Sequence, residues 1–177
     1  MASDETAAAR STVRLASSGM GDAHVETGVP VLDGLLEQVA QYGHFDLTLA
    51  VASDSAEVEV VSSGRALGAA LAELLQAENA RGHGAGYIPS AEALAHVALD
   101  QSDDPRLVSN FDLSAAHVGG LADDMAVRFL SELALAAGIV LHIRLVEGSD
   151  PQHVLDAIFK ALGVALENAC RVRGERT

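Results

Sequence analysis

Behind Pro30, apolar residues recur at Val31, Leu32, Leu35, Leu36 and Val39, the spacing of one helical face. A proline in the first turn suits a helix start, because its missing N–H would have no intrahelical acceptor there. Gly43 ends this helix. FDLTLAVA (45–52) and AEVEVVS (56–62) instead alternate apolar with polar residues, as half-buried strands do, with a turn over 53–55. Upstream, STVRL and DAHVETGV alternate in part around Gly19 and Gly21 and read as short strands. A second helix is predicted over about 64–79.

The helix-and-strand text LLEQVAQYGHFDLTLAV recurs as FLSELALAAGIVLHIRLV, and ALGAAL recurs as ALGVAL. Both pairs are displaced by about 95 residues, which points to an internal duplication. The organisation expected is a flexible leader (1–10), a first half-repeat (11–80), a Gly-rich connection RGHGAGYIPS (81–90) and a second half-repeat (91–177). Within the second half, strands are predicted near 91–100, 106–113 and 139–147, with helices near 121–137 and 150–171. Strand pairs with amphipathic helices imply an α+β fold, its sheets covered on one face by helices.

Composition narrows the classes of function. The chain has 177 residues, 49% of them hydrophobic, enough to fill a compact core. Its net charge of −14 repels phosphate backbones and anionic lipid, which argues against a nucleic-acid partner. The longest apolar run, from Leu133 to Leu141, is less than half of the roughly 20 residues needed to cross a bilayer, so no membrane span is expected. Neither a signal-peptide pattern nor a pair of cysteines is present, and the reading is cytoplasmic. With no Trp, two Tyr and four Phe, the chain offers few stacking platforms for sugars or bases.

Among candidate chemical groups, His153 and Asp156 stand i to i+3 on a predicted helix and share a face, close enough to share an ion. The plainer expectation pairs Asp156 with Lys160 one turn on and leaves His153 in the first turn, solvated or packed. His142 lies in an alternating strand, where a half-buried ring is expected. The glycines near 81–86 lack the strand–loop–helix order and the Lys-Ser/Thr ending of a phosphate loop. Ser62 and Ser63 have no evident base, and Cys170 reads as a structural thiol.

Several blocks occur in the order, and nearly the spacing, of one family: TGVPVLDGLLEQVAQYGHFDL, ALGAAL, AEALAHVALD, VGG, GIVLHIRL and PQHVLDAIFKALGVAL. From about residue 11 to 177 the chain resembles imidazoleglycerol-phosphate dehydratase, a histidine-biosynthesis lyase. The resemblance implies two similar halves, each a four-stranded sheet with two helices. It also implies trimers that assemble into a larger hollow particle, bridged by manganese. In that family each half supplies a His near the start of its first helix and a His-His-x-x-Glu on its second. The matching positions here are Gly34 and Arg128 for the first-helix histidines, Glu57, Val58 and Val61 for one motif, and Gln152, His153 and Asp156 for the other. Only His153 is kept in kind and Asp156 in charge, and Arg128 puts a fixed cation where a dication would sit. No metal cofactor is expected, although the family uses manganese.

The substrate end departs from the family as well. Its phosphate-holding Arg matches Asp104 and its Arg before Val-Gly matches His117. A substrate-facing His matches Tyr42, an early catalytic Glu falls near Arg10, and the Ser-Lys-Gly segment has no counterpart. A carboxylate in place of an arginine repels a phosphate. The expectation is therefore a non-catalytic paralogue, not an enzyme, acting as a structural, binding or regulatory component. It would assemble as a trimer-based homo-oligomer or together with a true dehydratase. The alternative is a repurposed, metal-independent lyase or isomerase for an unphosphorylated substrate, drawing on His153, Asp156, Asp104, His117 and Tyr42.

Overall fold

A computed structural model describes residues 10–53, 55–112, 121 and 124–174. The chain runs β1 (Arg10–Ala16), β2 (Ala23–Glu26), α1 (Pro30–Gly43), β3 (Asp46–Ala52), α2 (Ala56–Leu75), β4 (His83–Ser90), β5 (Ala93–Gln101), β6 (Arg106–Ser109), α3 (Met125–Ala137), β7 (Ile139–Glu147) and α4 (Pro151–Cys170). The expected α+β class is what forms. One sheet has the order β1-β3-β2 and the other β4-β5-β7-β6. β1 is antiparallel and β2 parallel to β3, and β5 and β6 stand in the same two relations to β7. The duplication is thus written in the strand pairing, with β4 added at one edge.

The helices lie between the sheets. α1 and α2 cover the first sheet, α3 and α4 the second, and α1 packs on α4 while α2 packs on α3. Apolar stripes meet at the centre, where Phe45, Phe129 and Phe159 are fully buried and the last two rings stand 5.8 Å apart. The repeated Ala-Leu-Gly blocks mark the two crossings. A methyl on Gly163 would come within 2.6 Å of the Val39 carbonyl oxygen, and one on Gly68 within 2.7 Å of the Leu133 carbonyl oxygen. Only glycine lets these backbones approach so closely.

The structure corrects three sequence expectations. AEVEVVS is the start of α2, not a strand. Val60, Leu67, Leu71 and Leu75 are buried along one helical stripe, and Glu57 and Glu59 suit the positive end of the helix dipole. The valine alternation at 58 and 60 therefore carried no strand. As a result, the first sheet has three strands among the described residues, not four. The supposed connection at 81–90 contains strand β4, which lies on α4. Methyls on Gly84 and Gly86 would come within 2.1 and 2.3 Å of the Ala165 and Ala161 carbonyl oxygens, so its glycines serve packing as well as turning. Among the described residues, no helix is long and apolar enough to cross a membrane.

Candidate functional site

The first turn of α4 is fixed by its cap. Asp150 accepts hydrogen bonds from the backbone N–H groups of Gln152 (2.9 Å) and His153 (3.2 Å), and Pro151 follows it. That cap presents His153 to the tight β4–β5 turn, where Ala91 takes a positive φ of 51° and Glu92 follows. His153 Nδ1 lies 2.5 Å from Glu92 Oε2, while Glu92 Oε1 accepts from the N–H of Asp150 at 3.0 Å and of Ser149 at 3.4 Å. The Asp150 N–H, the residue's own backbone amide and His153 together hold the Glu92 carboxyl down at about 2. In return, the hydrogen bond to Glu92 raises the His153 pKa, with Asp150 adding its charge. An imidazole held through Nδ1 by a carboxylate keeps Nε2 for proton exchange.

Two further turns of α4 extend the same face. Asp156 Oδ1 accepts from Gln38 Nε2 of α1 (3.1 Å) and from Gln152 Nε2 (2.8 Å). Gln38 Oε1 is buried without a hydrogen-bond partner among the described residues. Lys160 Nζ donates to Ser90 Oγ at 3.2 Å and stands 5.5 Å from the centre of the Tyr42 ring. The row His153, Asp156, Lys160 therefore faces a polar seam made by α1 and the β4–β5 turn. The expected Asp156–Lys160 pair gives way to these partners. His153 and Asp156 likewise take separate hydrogen-bond partners.

The other set of motif positions is built differently. Glu57 of α2 forms an ion pair with Arg128 of α3, which also reaches Asp124 at 3.4 Å. Val58 is 40% exposed and offers no donor, and Val61 lines a shallow groove beside Arg65 and Arg128. A side chain at Gly34 would meet nothing within 4 Å. Among the described residues, no three His, Cys, Asp or Glu side chains gather closely enough to hold a metal ion.

The remaining candidates lie apart. Asp104 sits in the β5–β6 turn, 3.3 Å from Arg106, at the end of β5 opposite Glu92. The nine-residue strand between them spans about 27 Å at 3.3 Å per residue, so one chain does not bring Asp104 to His153. His117 lies outside the described residues. His142 is exposed on the outer sheet face and not half-buried, while burial pushes the Cys170 thiol up to about 11. The sequence reading missed Glu92, Gln38, Ser90 and Lys160 as functional groups. Lys160 carried a signal, being i+7 from His153 on one face; Glu92 carried none, because a turn residue's partner is set only by the fold.

Comparison with known proteins bears on what this seam belongs to. A family model described as imidazoleglycerol-phosphate dehydratase matches residues 27–166. The imidazoleglycerol-phosphate dehydratase of Desulfitobacterium hafniense is 37% identical over 171 residues, 94% of this chain and 87% of that protein. The one from Acetivibrio thermocellus is 34% identical over 164 residues, 90% of this chain and 84% of that protein. Among solved structures, the imidazoleglycerol-phosphate dehydratase of Staphylococcus aureus superposes with a TM-score of 0.82 at 27% identity, covering 92% of this chain and 94% of that one. The expectation that the chain is not an enzyme is corrected by these relatives, which are named as an enzyme and match it over most of its length. With its strand order, its repeated helix crossings and this breadth of similarity, the chain belongs to the imidazoleglycerol-phosphate dehydratase family.

Proposed function

We propose that this family member is a metal-independent lyase acting on an unphosphorylated hydroxy substrate, with His153 as its acid–base group and Glu92 as the residue that positions it. The observation that carries this reading is the 2.5 Å contact between His153 Nδ1 and Glu92 Oε2. Elimination of water needs a base to take a proton from carbon and an acid to protonate the departing hydroxyl. His153 Nε2 takes the first proton, and the Glu92 carboxylate stabilises the imidazolium that results. Lys160, two turns along the same face, holds developing negative charge or returns a proton. The isomerase variant of the reading uses the same two groups, with the proton returned to a neighbouring carbon.

The chemistry of the donor set supports metal independence. At the family's ligand positions stand a glycine, two valines, an amide, and a carboxylate committed to a guanidinium, with His153 and Asp156 each already partnered. Two manganese ions do not fit these residues, because Arg128 repels a dication and too few nitrogen and oxygen donors remain. Asp104, at the place of a phosphate-holding arginine, favours a substrate without phosphate. Trimer-based self-assembly, or joint assembly with a true dehydratase, in the cytoplasm completes the proposal. Exposed apolar residues away from the outer sheet face, such as Met20 (86%) and Leu135 (54%), favour such burial.

The test compares imidazoleglycerol with imidazoleglycerol phosphate as substrates, in EDTA and in excess manganese. Turnover of the unphosphorylated compound should resist EDTA and fall about 10²–10⁴-fold in His153→Gln. Glu92→Gln should move the turn of the pH–rate profile to lower pH, as a positioning role requires. Stoichiometric manganese with metal-dependent dehydration of the phosphate ester overturns the proposal in favour of the ordinary family reaction.

A further inference from the structure

The outer face of the four-stranded sheet, turned away from the helices, carries a concentration of positive and imidazole groups. In the β5–β7 register, His96 lies opposite Arg144 and Ala98 opposite His142, and on the other side of β7 Val108 of β6 pairs with His142. A groove of about 370 Å³ runs over this patch, lined among others by His96, His142, Arg144, Ser109 and Asn110. Its wall is fixed, since Asn110 accepts from the Leu145 N–H at 2.7 Å and donates to the Leu145 carbonyl at 3.1 Å. His96 is steadied by an edge contact with Tyr87 at 5.6 Å.

In a chain with 25 acidic and 11 basic residues, no carboxylate among the described residues lines this groove. Arg144 forms no ion pair among the described residues, whereas Arg65, Arg106, Arg128 and Arg171 do. Side chains directly opposite on paired strands start about 5 Å apart, and same-face neighbours along one strand about 6.6 Å apart. His96, Arg144 and His142 are therefore near neighbours on one face, close enough to reach a single small oxyanion. A guanidinium fork offers two parallel N–H donors to a pair of oxygens, and each imidazole adds one from the side.

We propose that this groove is a binding site for a small dianion that carries its charge on oxygen, held by Arg144 between His96 and His142. It lies on the opposite side of the sheet from α4, so the inference does not rest on the proposed role of His153. Its ligand is a free phosphate or a small dicarboxylate, which share this chemistry.

The full chain is titrated with inorganic phosphate and, separately, with succinate at constant pH and ionic strength, following the imidazole signals by NMR. The His96 and His142 signals should move together and saturate with at least one of the two anions, the saturating anion naming the source, while that of His153 stays in place. Arg144→Gln should weaken binding at least tenfold, and Arg144→Lys should restore it only in part. Circular dichroism verifies that both variants are folded. Equal shifts with sodium chloride, unchanged affinity in Arg144→Gln, or silent imidazoles because a second copy covers the face, each overturns the proposal.

Discussion

Gly163→Ala tests the geometry that joins the two halves. The added methyl carbon would sit 2.6 Å from the Val39 carbonyl oxygen and 3.1 Å from the Gly43 nitrogen. Ordinary carbon–oxygen contact is roughly 3.2 Å, so α1 and α4 must part by about 0.6 Å in a close-packed interior that does not yield freely. Overpacking of this kind costs about 1–3 kcal/mol, offset by roughly 1 kcal/mol because alanine is the better helix former. A net loss of up to about 2 kcal/mol follows. Gly34→Ala is the matched control: it lies in α1, meets nothing within 4 Å, and should gain up to about 1 kcal/mol from propensity alone. The same chemical change therefore splits by about 1–3 kcal/mol, or several degrees in Tm at about 2–4 °C per kcal/mol for a chain of this size. The chain has no tryptophan, so urea and thermal unfolding are best followed by far-ultraviolet circular dichroism. If both variants gain stability equally, the close crossing at Gly163 does not exist.

Glu92→Gln should cost stability most between about pH 4.5 and 6.5. Glu92 is held down to about 2, so its contribution is present above its ordinary value of 4.5 and lost as pH falls toward 2; His153 is raised, so its share is complete below 6.5 and fades as pH climbs through the raised value. Urea midpoints of both proteins across pH check this, and a difference independent of pH contradicts the clamp. Cys170, pushed up to about 11 by burial, should resist alkylation at mildly alkaline pH in the native chain and react quickly in urea; rapid native labelling would contradict the packing of α4. Arg128→Ala removes an ion pair whose partners are 45% and 57% exposed, and unfolding should register little change.

The sequence was most legible where periodicity ran long. α1, α4, β3 and β7 followed from apolar spacing, and the two Ala-Leu-Gly blocks that pointed to a duplication lie at the crossings of Gly68 and Gly163. It misled at the head of α2, where Val58 and Val60 alternate with glutamates by chance while the helical stripe from Val60 to Leu75 decides the outcome. It misled again at β4, because glycines that signal a loop by composition were needed for close approach to α4. At the site, His153 and Asp156 were visible as residues, but not their partners. Glu92 is 61 positions from His153 and Gln38 is 118 from Asp156, separations that only the assembled fold closes. That Asp104 and Glu92 occupy opposite ends of one strand followed from the strand predicted near 91–100, but that His153 meets the Glu92 end did not.

The crossing of α1 on α4 and of α2 on α3 sets a timetable for synthesis. α2 is complete at Leu75, but the chain must grow to Ala137 and then Cys170 before α3 and α4 are available to cover it and its neighbour. At about 5–20 residues per second, the stripes around Gly43 and Gly68 wait on the order of 5–20 s on the ribosome with their apolar flanks wet. On a polysome, the second half of the chain ahead emerges during that wait and carries faces of matching shape. A nascent first half is therefore a natural client for a holding chaperone, and without one an exchange of halves between neighbouring chains competes with folding in cis.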